Sequence, residues 1–151
     1  MSTRGSGRVF ESHSEDETRE IAKGIALNCK GNEVFKLIGD LGAGKTAFAK
    51  GFASGLNITG TINSPTFTIF NIYENGRLPL YHFDAYRLQN SAEFESSVGT
   101  EYFYAGGVCL IEWAGIIEDI LPENCVSVTL EKDAQNPDPD YRRIIVENTG
   151  D

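Results

Sequence analysis

Residues 39 to 46 read Gly39-Asp40-Leu41-Gly42-Ala43-Gly44-Lys45-Thr46, a complete G-x-x-x-x-G-K-T phosphate-binding loop. The glycines let the backbone curl so that successive N–H groups face one phosphate chain. Lys45 then reaches the β- and γ-phosphates, and the Thr46 hydroxyl is placed to ligate Mg²⁺. The flanking sequence agrees. Val34-Phe35-Lys36-Leu37-Ile38 is a short, largely apolar run suited to a buried parallel strand. After the loop, Phe48 and Phe52 lie four apart, on one face of a helix. Strand, glycine loop and helix in this order, with an anion-attracting helix N-terminus, predict a nucleoside triphosphate site. The cradle comprises Asp40, Leu41, Gly42, Ala43, Gly44, Lys45, Thr46 and Ala47.

The chain has 151 residues, 40% of them hydrophobic and 23% charged, which suits one domain of ordinary globular composition. Residues 1–9 lack the apolar segment of a secretory signal and read as a flexible tail, leaving 10–151 as a single domain. No apolar run is long enough to cross a membrane. Three cysteines, Cys29, Cys109 and Cys125, are widely spaced in apolar or helical surroundings, as buried reduced thiols of a cytoplasmic protein would be. Two isolated histidines do not make a zinc cluster, and His82, inside Leu80-Tyr81-His82-Phe83, reads as a packing residue. The net charge of −9 opposes a direct grip on a nucleic acid backbone.

Other elements follow from local signals. Ser14 and Glu17 have capping-box spacing before a helix over 15–29, which Gly31-Asn32 ends. Strands are expected over 67–73 and 78–83, joined by a tight hairpin at Asn75-Gly76. A helix is expected over 91–99 with Ser91 as N-cap, and a strand from Val108 into Glu112 and Trp113. Helical residues over 116–121 precede a closing hairpin of 126–130 and 143–147 across a polar turn over 133–140. The architecture is α/β, of the P-loop NTPase type: a mainly parallel sheet with antiparallel additions, flanked by helices. Ligands of such sheets sit beyond the strand carboxyl ends. Asp84 and Glu112 are each the first acid after an apolar strand, so both are placed there.

Phosphoryl transfer needs positioned phosphates, Mg²⁺, an oriented nucleophile and charge stabilisation. Thr46 supplies one metal contact. Asp84 and Glu112 compete to supply the second, the other being free to orient the attacking water. Lys45, Asp84 and Glu112 are therefore the candidate catalytic residues. Ser64-Pro65-Thr66 has the position of a switch-like loop, with hydroxyls that could sense the γ-phosphate, or is an ordinary proline turn. Arg87 is open to two readings, transition-state stabilisation and a structural ion pair. No Asn-Lys-x-Asp segment reads guanine, which leaves ATP as the favoured nucleotide. Nor does the chain carry the arginine-rich lid of small-molecule kinases.

Four segments taken in order (the loop at 39–46, Ser64-Pro65-Thr66, Tyr81-His82-Phe83-Asp84-Ala85-Tyr86-Arg87-Leu88, and Ile111-Glu112-Trp113) resemble the bacterial TsaE family, formerly YjeE. The likeness runs from about Thr18 to Glu147. It implies an Mg²⁺-dependent ATPase, slow without its partners, serving tRNA threonylcarbamoyladenosine synthesis. It also implies work alongside TsaD and TsaB, with tRNA met only through that complex. By the same resemblance Thr46, Asp84 and Glu112 fall on positions tied to Mg²⁺ and hydrolysis, and Trp113 lies close to the nucleotide. Two departures are Ala47, where many members have a second threonine, and Ala114, where proline is common. Two further readings are a small-molecule P-loop kinase and a nucleotide-sensing adaptor that binds ATP without productive hydrolysis.

Overall fold

A computed structural model describes residues 7–40, 42–62 and 70–148. Ser64-Pro65-Thr66, Leu41 and residues 1–6 lie outside them. Seven strands form one sheet: β1 (Gly7–Ser12), β2 (Val34–Ile38), β3 (Phe70–Tyr73), β4 (Leu80–Asp84), β5 (Val108–Glu112), β6 (Val126–Glu131) and β7 (Arg142–Asn148). Their order is β1-β7-β6-β2-β5-β4-β3. The central four, β6, β2, β5 and β4, are parallel, while β3 on one side and β7 with β1 on the other are antiparallel. The expected α/β fold is thus present, its parallel core bounded by antiparallel strands.

Period-two alternation on each central strand feeds two separate cores. Phe35 and Leu37 of β2 and Val108 and Leu110 of β5 join helices α1 (Glu15–Leu27) and α2 (Lys45–Gly55) on one face. Val34, Cys109 and Ile111 point to the other face, against α3 (Ser91–Ser97) and the 3-10 segments Glu101–Tyr104 and Ala114–Ile120. On α2, Phe48 and Phe52 are fully buried, and Phe52 meets Phe35 edge-on with ring centroids 5.0 Å apart. Removing a phenyl ring from such a position costs about 3–5 kcal/mol. By the same alternation His82 and Asp84 on β4, and Glu112 on β5, face the α1/α2 side. Asp84 and Glu112 are register partners at the strands' ends.

Several local expectations hold. Ser14 caps α1, accepting from the Glu17 N–H at 3.0 Å, and Glu17 answers by accepting from the His13 N–H at 2.7 Å. The closing hairpin forms as β6 and β7. All three cysteines are buried and none forms a disulfide.

Others are corrected. Gly7, Arg8 and Val9, read as part of a tail, belong to β1, whose whole length pairs with β7 from Gly7↔Glu147 to Ser12↔Arg142. The exposed alternation of β1 hides a strand that docks on an edge without burying much. The N-cap of α3 is Asn90, not Ser91: Asn90 Oδ1 accepts from the Glu93 N–H at 2.9 Å. Asn75-Gly76 is not a two-residue turn, because six residues, 74–79, separate the paired Tyr73 and Leu80. Arg77 draws that longer loop onto the helix pair. Its guanidinium donates to the Cys29 and Ala26 carbonyls at 2.8 Å each and to the Gly55 carbonyl at 3.3 Å, satisfying acceptors that α1 and α2 leave at their C-termini.

Candidate active site

The loop leaves β2 at the sheet's carboxyl edge and enters α2 through Gly44, whose φ of 103° favours glycine because it has no Cβ. Gly42 likewise has φ 81°. The two left-handed glycines on either side of Ala43 curl the backbone in the manner of an anion nest.

A cavity of about 790 Å³ opens above this turn. Its wall includes Gly42, Gly44, Lys45, Thr46 and Ala47 of the loop and α2, Asp84 at the end of β4 with Tyr86 beyond it, and Glu112 at the end of β5 with Trp113 beyond it. The expected loop, metal and acid residues therefore meet in one place. Asp40 and Ala43 line a neighbouring cavity, which Lys45 and Trp113 share. Arg87 is exposed and absent from the described wall of the main cavity.

Glu112 sits at the centre of the polar geometry. One carboxylate oxygen, Oε1, is 3.9 Å from Lys45 Nζ, and the other, Oε2, is 2.7 Å from His82 Nε2. With a carboxylate as acceptor, His82 Nε2–H donates. Its Nδ1 is buried and has no hydrogen-bond partner among the described residues. His82 thus does more than pack: it fixes one oxygen of the strand-end acid. Its signal in the sequence was its place two residues before Asp84, on the same face of the strand.

Asp84 Oδ1 accepts from the Tyr86 N–H at 2.9 Å. Burial holds its carboxyl above the usual aspartate value, with the charge of Glu112 adding to the rise and the Tyr86 N–H opposing it. Asp84 and Glu112 are both buried and line one cavity with Thr46, so their side-chain oxygens are ones that could hold a hard divalent cation.

Trp113 takes a left-handed conformation, φ 59°, which is costly for a bulky side chain. The turn brings its ring under Lys45 Nζ, 4.7 Å from the centroid, and beside Tyr86, 4.9 Å ring to ring. Ser14, the N-cap of α1, Glu15 and Thr18 of α1, Asp140 in the turn before β7, and Arg142, which opens β7, complete the wall. Sequence reasoning placed none of these five at the site, because none sits in a phosphate-binding motif and their nearness depends on the fold.

Comparison with known proteins matches residues 12–144 to the family model for Threonylcarbamoyl adenosine biosynthesis protein TsaE. The chain belongs to the TsaE family. Among its relatives, the tRNA threonylcarbamoyladenosine biosynthesis protein TsaE of Bacillus subtilis (strain 168) is 50% identical over 118 residues, covering 78% of this chain and 73% of that one. The TsaE protein of Treponema pallidum is 41% identical over 119 residues, covering 79% and 87%. The crystal structure of Bacillus subtilis YdiB superposes with a TM-score of 0.81 at 39% identity, covering 99% of this chain and 90% of that one. Among the described residues, no helix is long and apolar enough to cross a membrane.

Proposed function

We propose that this chain binds ATP with Mg²⁺ and hydrolyses it in the cytoplasm as a subunit of the tRNA threonylcarbamoyladenosine machinery, acting with TsaD and TsaB. The observation that carries the reading is the meeting of Lys45, Thr46, Asp84 and Glu112 on one cavity wall, with Lys45 Nζ 3.9 Å from Glu112. The loop amides and Lys45 bind the phosphates and neutralise charge that grows on them. Thr46 and Asp84 would hold the cation, which supplies Lewis-acid stabilisation of the phosphoryl oxygens. Glu112, fixed through Oε2 by His82, orients the attacking water and takes its proton at Oε1. Trp113 and Tyr86 offer an aromatic wall to the nucleotide.

The net charge of −9 suits a component whose partners hold the tRNA. The test is phosphate release from ATP with this chain alone and with TsaD and TsaB added. Slow turnover that rises with the partners supports the reading. Turnover indifferent to them would remove the coupling, and ATP bound without any turnover would favour the nucleotide-sensing adaptor.

A further inference from the structure

Arg142 opens β7, far in sequence from any phosphate motif, yet its guanidinium reaches the phosphate loop. Nε donates to the Ala43 carbonyl at 3.1 Å and Nη2 to the Gly42 carbonyl at 3.3 Å. Nη1 donates to the carbonyls of Pro139 at 3.0 Å and Tyr141 at 2.7 Å. A guanidinium is a rigid planar fork of five donors, so bonds to the turn just before its strand on one side fix where the other side reaches. The turn before that strand is itself anchored: Tyr141 donates its hydroxyl to Glu11 Oε2 at 2.8 Å, and Asp138 Oδ2 lies 3.3 Å from His13 Nδ1.

The two loop carbonyls matter because of what lies behind them. Peptides are planar, and none among the described residues is cis. A held carbonyl therefore sends the N–H of the next residue the opposite way. Holding Gly42 O orients the Ala43 N–H, which donates to Asp40 O at 2.9 Å and closes the loop's own turn. Holding Ala43 O orients the Gly44 N–H, at the entrance to α2 and on the cavity wall.

We propose that Arg142 is a positioning residue for the phosphate loop, fixing two of its peptide planes so that its turn is closed and the Gly44 amide is set for a phosphate group before one binds. The inference rests on the nucleotide reading above. It adds that the nest is built partly from outside its motif, by the strand that closes the sheet. Preorganisation of this kind raises affinity by removing the cost of ordering the loop on binding.

Calorimetric titration with ADP separates the possibilities, applied to the intact chain, Arg142→Lys, Arg142→Met and Arg143→Ala. Arg143 pairs with Glu131 on the surface and serves as the control. Losing charge-assisted bonds to the loop is expected to weaken ADP by about tenfold or more in both Arg142 variants, with Arg143→Ala unchanged. Lysine keeps the charge but cannot bridge two carbonyls. Ethylguanidine added to a third variant, Arg142→Ala, is expected to restore affinity, which a merely structural role would not allow. ADP affinity within about twofold of the intact chain in Arg142→Lys would overturn the proposal, leaving only long-range charge. So would an affinity loss that ethylguanidine does not touch. Should Arg142→Met fail to fold, Arg142→Lys decides. An intact chain that binds no ADP would overturn the nucleotide reading and this inference together, whereas intact chain and variants binding equally well would overturn this inference alone.

Discussion

Glu112 has both carboxylate oxygens committed, one toward Lys45 and one to His82, and this division assigns it a different task from Asp84. Replacing it by the isosteric amide should leave ADP affinity nearly intact and lower phosphate release by about 10²-fold, the low end of what a positioned base contributes. Single-turnover phosphate release checks it. Asp84 carries the opposite balance of stability and function. Its folded pKa is raised above the ordinary 3.8, chiefly by burial, so stability is full below that value and is lost as pH rises through the folded pKa. At neutral pH the ionised carboxylate therefore costs stability. Asp84→Asn retains an oxygen for the Tyr86 N–H and removes the buried charge. It should melt higher, by roughly the 2–4 °C that one kcal/mol gives in a domain this size, while hydrolysis falls. A melting curve in Mg²⁺-free buffer beside a phosphate-release assay tests both halves.

At the scale of elements, the pairing of α1 and α2 sets where the loop's helix points. The two helices approach so closely at Gly51 that an added Cβ would lie 2.2 Å from the Arg19 carbonyl oxygen. Gly24, on the exposed side of α1, has nothing within 4 Å of its would-be Cβ. Gly24→Ala should stabilise by about 0.5–1 kcal/mol through helix propensity. The same change at Gly51 should destabilise by about 2 kcal/mol or more, because backbone must move. Urea denaturation of the two variants gives the comparison, and equal effects would deny the close approach. The difference between these glycines is invisible along the chain, where both simply interrupt a helical pattern. The loop itself was legible, since strand, glycines and helix are consecutive, and so were the two acids, since each ends an apolar strand. Arg142 was not, because its contact with Ala43 joins residues 99 apart. Nor was β1, whose exposed side chains give no buried alternation. What is local in the chain could be read, and what depends on the order of strands across the sheet could not.

For the molecule as a whole, the three cysteines are buried and the net charge is −9. Burial pushes the Cys29 thiol from 9.0 up to about 12 and Cys125 up to about 11, and raises Cys109 as well. Since the folded values are raised, the stability they contribute is complete below 9.0 and is lost as pH climbs toward those values. All three should react with Ellman's reagent at least about 100-fold more slowly in the folded chain than in urea. A fast-reacting thiol in the folded chain would contradict the packing.

The central claim is that loop, acids and cation act as one hydrolytic site. Its most direct test is phosphate release from ATP, with Mg²⁺ and with EDTA, by the intact chain, Lys45→Ala and Glu112→Gln. Release by the intact chain that requires Mg²⁺ and is lost in both variants is the expected result. Release that persists in EDTA, or in Glu112→Gln at the intact chain's rate, would contradict it.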